Sequence, residues 1–137
     1  MWSGPREGDE ISVLDDFAID ARYLAVRSNS EATARSVRDA LARSLNPRTI
    51  SELREQAAAD PRALTILALA LDTIDDASGS VIESALASTD PGVRGEAIIA
   101  ASLTRSTRFR SALQKLAEVT SDERERAMID AAIAACM

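Results

Sequence analysis

Apolar residues recur at spacings of three and four along most of the chain, and that period predicts helices. Residues 10–27 place Leu14, Phe17, Ala18, Ala21 and Leu24 on one helical face. Residues 31–45 do the same with Ala34, Val37, Leu41 and Leu45, and Asn46-Pro47 then breaks the chain. Thr49-Ile50-Ser51-Glu52 is a capping box, in which hydroxyl and carboxylate satisfy orphan amides at a helix start. It opens a helix to about Ala59 with Ile50, Leu53 and Ala57 inward. Asp60-Pro61 opens the next, because the carboxylate accepts from free amides and proline needs none in a first turn. Residues 61–75 are apolar nearly all round, through Leu64, Ile66, Leu67, Leu69, Leu71 and Ile74. Such a helix belongs between neighbours.

Residues 75–79 read as a turn, and Ser80-Val81-Ile82-Glu83 as a second capping box that opens a helix to about Ser88. Asp90-Pro91 repeats the earlier cap and opens 91–104, with Val93, Ala97, Ile98 and Ala101 inward. Residues 107–119 carry the cleanest stripe, Phe109, Ala112, Leu113, Leu116 and Ala117. Thr120-Ser121-Asp122-Glu123 caps a last helix with the stripe Met128, Ala131, Ala132 and Ala135. The pattern predicts eight helices. No run alternates with period two long enough to suggest a sheet, so the expected class is all-α.

The helices also repeat. Asp60-Pro61 and Asp90-Pro91 stand 30 residues apart, and Ala40-Leu41, Ala70-Leu71 and Ala100-Ala101 share one phase. The chain divides into units 30–59, 60–89 and 90–120, with a half unit 121–137 that starts one residue late, at Ser121. Two short helices cannot bury both their stripes alone, whereas stacked units bury a continuous core. The segment Asp90-Pro91-Gly92-Val93-Arg94-Gly95-Glu96-Ala97-Ile98-Ile99-Ala100-Ala101 resembles the first helix of a HEAT-like repeat, of the short phycobilisome-lyase type. Asp60-Pro61 with Ala68-Leu69-Ala70-Leu71 matches the start and end of that helix, although Leu64 stands where Arg94 does. The last unit has Arg124 at the valine position. The resemblance implies an α-α superhelix; an ordinary helical bundle is the alternative. Residues 1–9 read as a flexible segment before a single helical-repeat domain at 10–137.

Composition removes several kinds of chemistry. The 137 residues include no histidine and one cysteine, Cys136, so Ser-His-Asp and Cys-His triads, His-metal sites and an intrachain disulfide are excluded. Cys136, one residue from the end, reads as frayed or half-buried. Asp72, Asp75 and Asp76 with Ser78 and Ser80 do not follow a calcium-loop spacing and read as a solvated helix C-terminus. Asp15-Asp16, adjacent on a helix, diverge by about 100 degrees and make no acid-base dyad. Gly79, Gly92 and Gly95 are isolated and form no phosphate loop. Trp2 fits either a tail or a plug on the first helix. The reading is of a protein that is not an enzyme and takes no cofactor or metal. No signal peptide or membrane span appears, and the expected location is cytoplasmic.

The net charge of −6 argues against a duplex nucleic acid or an anionic membrane as partner. Residues 94–115 form a local basic patch: Arg94, Arg105, Arg108, Arg110 and Lys115 against Glu96. The resemblance implies a protein-interaction module whose second helices, at about 48–59, 80–88 and 107–119, line the contact surface. Its candidate partner-binding residues are Arg48, Glu52, Glu55, Glu83, Ser84, Arg108, Arg110, Gln114 and Lys115. A small adaptor or an inhibitor of immunity type fits this size. The alternative is a HEAT-like nucleic-acid-binding or DNA-repair enzyme, against which the short, acidic, aromatic-poor chain weighs. Chromophore-lyase chemistry, suggested by the repeat subtype, lacks a catalytic constellation. The alanine-rich stripe of 121–136 fits an end cap or a homo-oligomer face.

Overall fold

The structure, a computed structural model, describes residues 2–3, 10–16, 21–45 and 48–137. Most described residues are helical, and the class is all-α. The chain divides into two compact units, Met1–Arg48 and Thr49–Met137.

The first unit corrects the reading of residues 10–27 as a helix. β2 (Glu10–Asp16) and β3 (Ala21–Arg27) pair antiparallel, and β1 (Trp2–Ser3) joins the far edge of β2. The segment is rich in β-branched and aromatic residues, Ile11, Val13, Tyr23 and Val26, which favour a pleated strand over a helix. Its register also sets acidic residues opposite basic ones, Glu10 with Arg27 and Asp15 with Arg22. Short apolar runs fit either period, and here strand preference and cross-strand pairing decide. Phe17 and Ala18 of the expected stripe, and residues 4–9 of the expected flexible segment, lie outside the described residues. Trp2 belongs to β1. After the hairpin, α1 (Glu31–Leu45) forms as its period predicts. Ser30 caps it, its hydroxyl accepting from the Thr33 amide at 3.3 Å.

The second unit holds six α-helices among the described residues. α2 (Ile50–Gln56) starts at the expected capping box. The Thr49 hydroxyl accepts from the Glu52 amide at 3.2 Å, and the Thr49 amide donates to the Glu52 carboxylate at 2.7 Å. α3 (Arg62–Ala70) is shorter than expected, because Leu71 turns extended. The reason lies just downstream. Asp75, not Ser80, caps α4 (Asp76–Leu86), accepting from the Ser78 amide at 2.8 Å. The expected turn at 75–79 is therefore the first turn of α4, and the acidic cluster sits at a helix N-terminus rather than a C-terminus. There its charge complements the helix dipole. Ser80 lies inside α4 and donates to the Asp76 carbonyl at 2.8 Å.

α5 (Pro91–Thr104) begins at Asp90, whose carboxylate accepts from the Gly92 amide at 2.7 Å. It ends at Arg105, whose backbone is left-handed with φ 51°. A 3-10 turn (Thr107–Phe109) leads into α6 (Arg110–Val119). α7 (Glu123–Ala135) is capped by Asp122, which accepts from the amides of Arg124 and Glu125 at 2.8 and 2.9 Å.

α3 packs on α2 and α5, and α5 on α4 and α7; α6 packs on α4 and α7. Small residues, Ala97, Ala100 and Ala101, are buried along α5 and let its neighbours approach closely. Phe109, Leu64, Leu67, Ile82, Ile98, Leu113 and Ile129 fill the core. Full burial of such a side chain contributes about 1.5–3 kcal/mol. In α7 the inward stripe is Ile129, Ala132 and Cys136, while Ala131 is exposed. Of the expected stripe, Met128 packs against the core and Ala132 is buried. Cys136 is fully buried rather than frayed, and its thiol faces the Ala101 carbonyl at 3.5 Å.

Candidate functional site

Polar contacts tie the helices of the second unit together and define the site. Arg94 and Arg126 each stand four residues after a capping aspartate, Asp90 and Asp122. The Arg94 guanidinium donates back to the Ser88 and Thr89 carbonyls at 3.1 and 3.0 Å. Arg126 makes the equivalent contact before α7, donating to the Ala117 and Thr120 carbonyls. Both arginines satisfy carbonyls left over where the preceding helix ends. With Asp122 as the cap, Glu125 rather than Arg124 takes the valine position of the last unit, and Arg126 is the counterpart of Arg94.

Side chains also join helices that are distant in sequence. Arg94 Nε donates to Glu125 at 2.8 Å, and the buried Thr65 hydroxyl donates to Glu96 at 2.6 Å. Arg94 pairing, reinforced by the Thr120 hydroxyl at 2.9 Å, holds the Glu125 carboxyl below its ordinary pKa. On the other layer Arg108 donates to Glu83 at 2.8 Å and to Asp76 at 3.0 Å. That hydrogen bond, with the guanidinium charge, lowers the Glu83 pKa.

Between these ties lies an open-sided groove of about 1050 Å³. The turns at Ser88–Thr89 and at Thr120–Ser121 form part of its lining. Leu86, Ala112, Leu116, Val119 and Met128 supply apolar surface, and Val119 is 79% exposed. Gly92 and Gly95 form part of the α5 wall without side chains. A β-carbon added at Gly95 would meet no atom within 4 Å, so this wall is open space.

The charges lining the groove divide cleanly. Glu83 is held by Arg108, Glu125 by Arg94, and Asp122 by the amides of α7. Arg94 is taken by Glu125. Lys115 and Arg124 are exposed, and among the described residues no carboxylate pairs with either.

The sequence-derived contact residues scatter over this frame. Glu83 and Lys115 line the groove. Arg110 and Gln114 lie exposed on α6, outside the lining. Glu52 is folded back on Thr49 in the capping box, and Glu55 is exposed on α2. Arg48 ends the first unit. Arg108 is not an offered guanidinium: it is half-buried and engaged with two carboxylates. Arg94 is likewise engaged, so the basic patch of 94–115 is narrower than its letters suggest. Sequence reasoning missed Gly95, Leu116, Val119, Met128 and Arg124. Two glycines in one helix and an apolar residue just before a cap were the available signals. Among the described residues, no helix is long and apolar enough to cross a membrane. The sequence matches no protein-family model, no curated protein and no solved structure.

Proposed function

We propose that the second unit is a HEAT-like protein-interaction module that holds a segment of another protein in the groove between the 88–92 and 119–124 turns. The observation that carries this reading is the groove itself, a concave surface with Leu116, Val119 and Met128 in its lining. Concave surfaces lined by apolar side chains with a few polar groups are where proteins commonly hold ligands. The helices that flank it are cross-tied by Arg94, Arg108 and Arg126, so the surface is preformed and its occupant need not pay to organise it. Lys115 and Glu83, from the second helices, belong to this surface. An adaptor or an inhibitor would use it in the same way.

A photo-crosslinking amino acid at Val119, introduced in the native host, tests the reading. The expected result is a discrete crosslinked protein that disappears when Gly95→Gln fills the groove. Gly95→Gln is suited to this because its β-carbon meets nothing. Crosslinks that persist in that variant would overturn the groove, and no crosslinked protein at all would overturn protein binding.

A further inference from the structure

The groove's charges select among protein segments. We propose that its occupant is an acidic amphipathic segment, with apolar side chains seated against Leu86, Leu116 and Val119 and carboxylates meeting Lys115 and Arg124. This rests on the groove being the binding surface.

The argument is one of complementarity. Every carboxylate in the lining already accepts hydrogen bonds within the chain: Glu83 from Arg108, Glu125 from Arg94 and Thr120, Asp122 from two α7 amides. The Glu83–Arg108 and Glu125–Arg94 pairs are each neutral, which leaves Asp122 as the one lining carboxylate without a paired cation among the described residues. The two lining cations are the reverse case, exposed and without a partnering carboxylate among the described residues. An incoming basic segment would face two cations, Lys115 and Arg124, with Asp122 alone to receive it. An acidic one would complete both. The chain's net charge of −6 does not reverse this choice. Charges beyond about 8 Å are largely screened at physiological salt, so the sign next to the groove decides. The apolar surface favours a protein segment over a nucleic-acid strand, since the described groove lining offers no aromatic ring for base stacking.

Random peptides displayed on phage and panned against the full chain provide the test. The expected ligands combine Leu, Ile or Phe with Asp and Glu. They should bind about tenfold or more weakly to a Lys115→Glu/Arg124→Glu double variant, lose binding to Gly95→Gln, and bind unchanged to Arg110→Glu, which alters a cation outside the groove. Both reversed residues are exposed, and thermal unfolding of the double variant checks that it folds. Ligands that are basic or uncharged yet blocked by Gly95→Gln would overturn the acidic partner and leave the groove standing. Ligands indifferent to Gly95→Gln would overturn both. A random single-stranded oligonucleotide bound through Lys115 and Arg124, with no peptide selected, would overturn the protein segment as occupant.

Discussion

The guanidinium of Arg108 lies directly against the backbone of Gly79, so that a β-carbon added at Gly79 would fall 2.5 Å from Arg108 Cζ. The missing side chain in the middle of α4 is what lets Arg108 reach both Asp76 and Glu83. Gly79→Ala should thus have two opposed effects. Alanine in place of a helical glycine favours α4 by about 1 kcal/mol. The displaced guanidinium loses its two carboxylates. Arg108→Ala should destabilise the wild-type chain and cost much less in the Gly79→Ala background. A double-mutant cycle by urea unfolding checks this, and strictly additive losses would contradict the contact.

The same contact changes what a charge reversal at Arg108 does. Arg108→Glu would set a third carboxylate beside Asp76 and Glu83. It should lower the melting temperature, whereas Arg110→Glu, on an exposed position of α6, should leave it within the surface range of about 0.5 kcal/mol. A charge reversal meant to test the proposed groove therefore belongs at Lys115 and Arg124, not at Arg108. Equal melting temperatures for the two reversals would place Arg108 outside the fold's support.

Arg105 ends α5 in the left-handed region at φ 51°, where a side chain costs about 1–2 kcal/mol. Its residue type is not required there by any ion pair among the described residues. Arg105→Gly should stabilise the chain by about 1 kcal/mol, read as a higher urea midpoint with an unchanged slope. A lower midpoint would mean that the arginine contributes more than its backbone strain removes.

Acid should loosen the unit at the joints held by Glu83 and Glu125. Both carboxyls sit below the ordinary glutamate pKa, chiefly through hydrogen bonds from Arg108 and Arg94 respectively. A lowered folded pKa means that the unfolded chain takes up protons first. The contribution is complete above the ordinary value of about 4.3 and is lost as pH falls through the folded value. Thermal stability should fall steeply below about pH 4.3, and Glu125→Gln should show a shallower fall from a lower plateau. A plateau that continues unchanged into that range would contradict the pairing.

Cys136 is fully buried, and burial pushes its thiol pKa up. The thiolate that reacts with alkylating reagents is scarce and sheltered. In native buffer labelling should be slow, and it should rise to the rate of a free thiol in urea together with loss of helical signal. Rapid labelling of the folded chain would place the end of α7 out of the core.

Local chemistry made much of the second unit legible. Thr49-Ile50-Ser51-Glu52, Asp90-Pro91 and Asp122 each cap a helix through bonds that reach only three residues, and the stripes of 91–104 and 107–119 have a period that nothing nearby contests. Residues 10–27 show the limit of such reading. Leu14, Ala21 and Leu24 suit a helix as well as a strand, and pairing Glu10 with Arg27 and Asp15 with Arg22 depends on the chain folding back on itself. At 75–83 two candidate caps compete, and the winner, Asp75, is also the residue that Arg54 reaches from α2 at 3.3 Å.

By itself the sequence determined the helical class, the caps at Thr49, Asp90 and Asp122 and the absence of histidine chemistry, because each is a property of a residue and its near neighbours. Only the tertiary structure decided which charges are paired within the chain. Arg94, Arg108, Lys115 and Arg124 are alike as letters. Arg94 meets Glu125 at a separation of 31 residues, and Arg108 meets Asp76 at 32. Lys115 and Arg124 meet no carboxylate among the described residues and stand at the groove. A charge is neutralised by what the fold brings within a few ångströms of it, and that distance is set by the packing of α4, α5, α6 and α7 rather than by position along the chain.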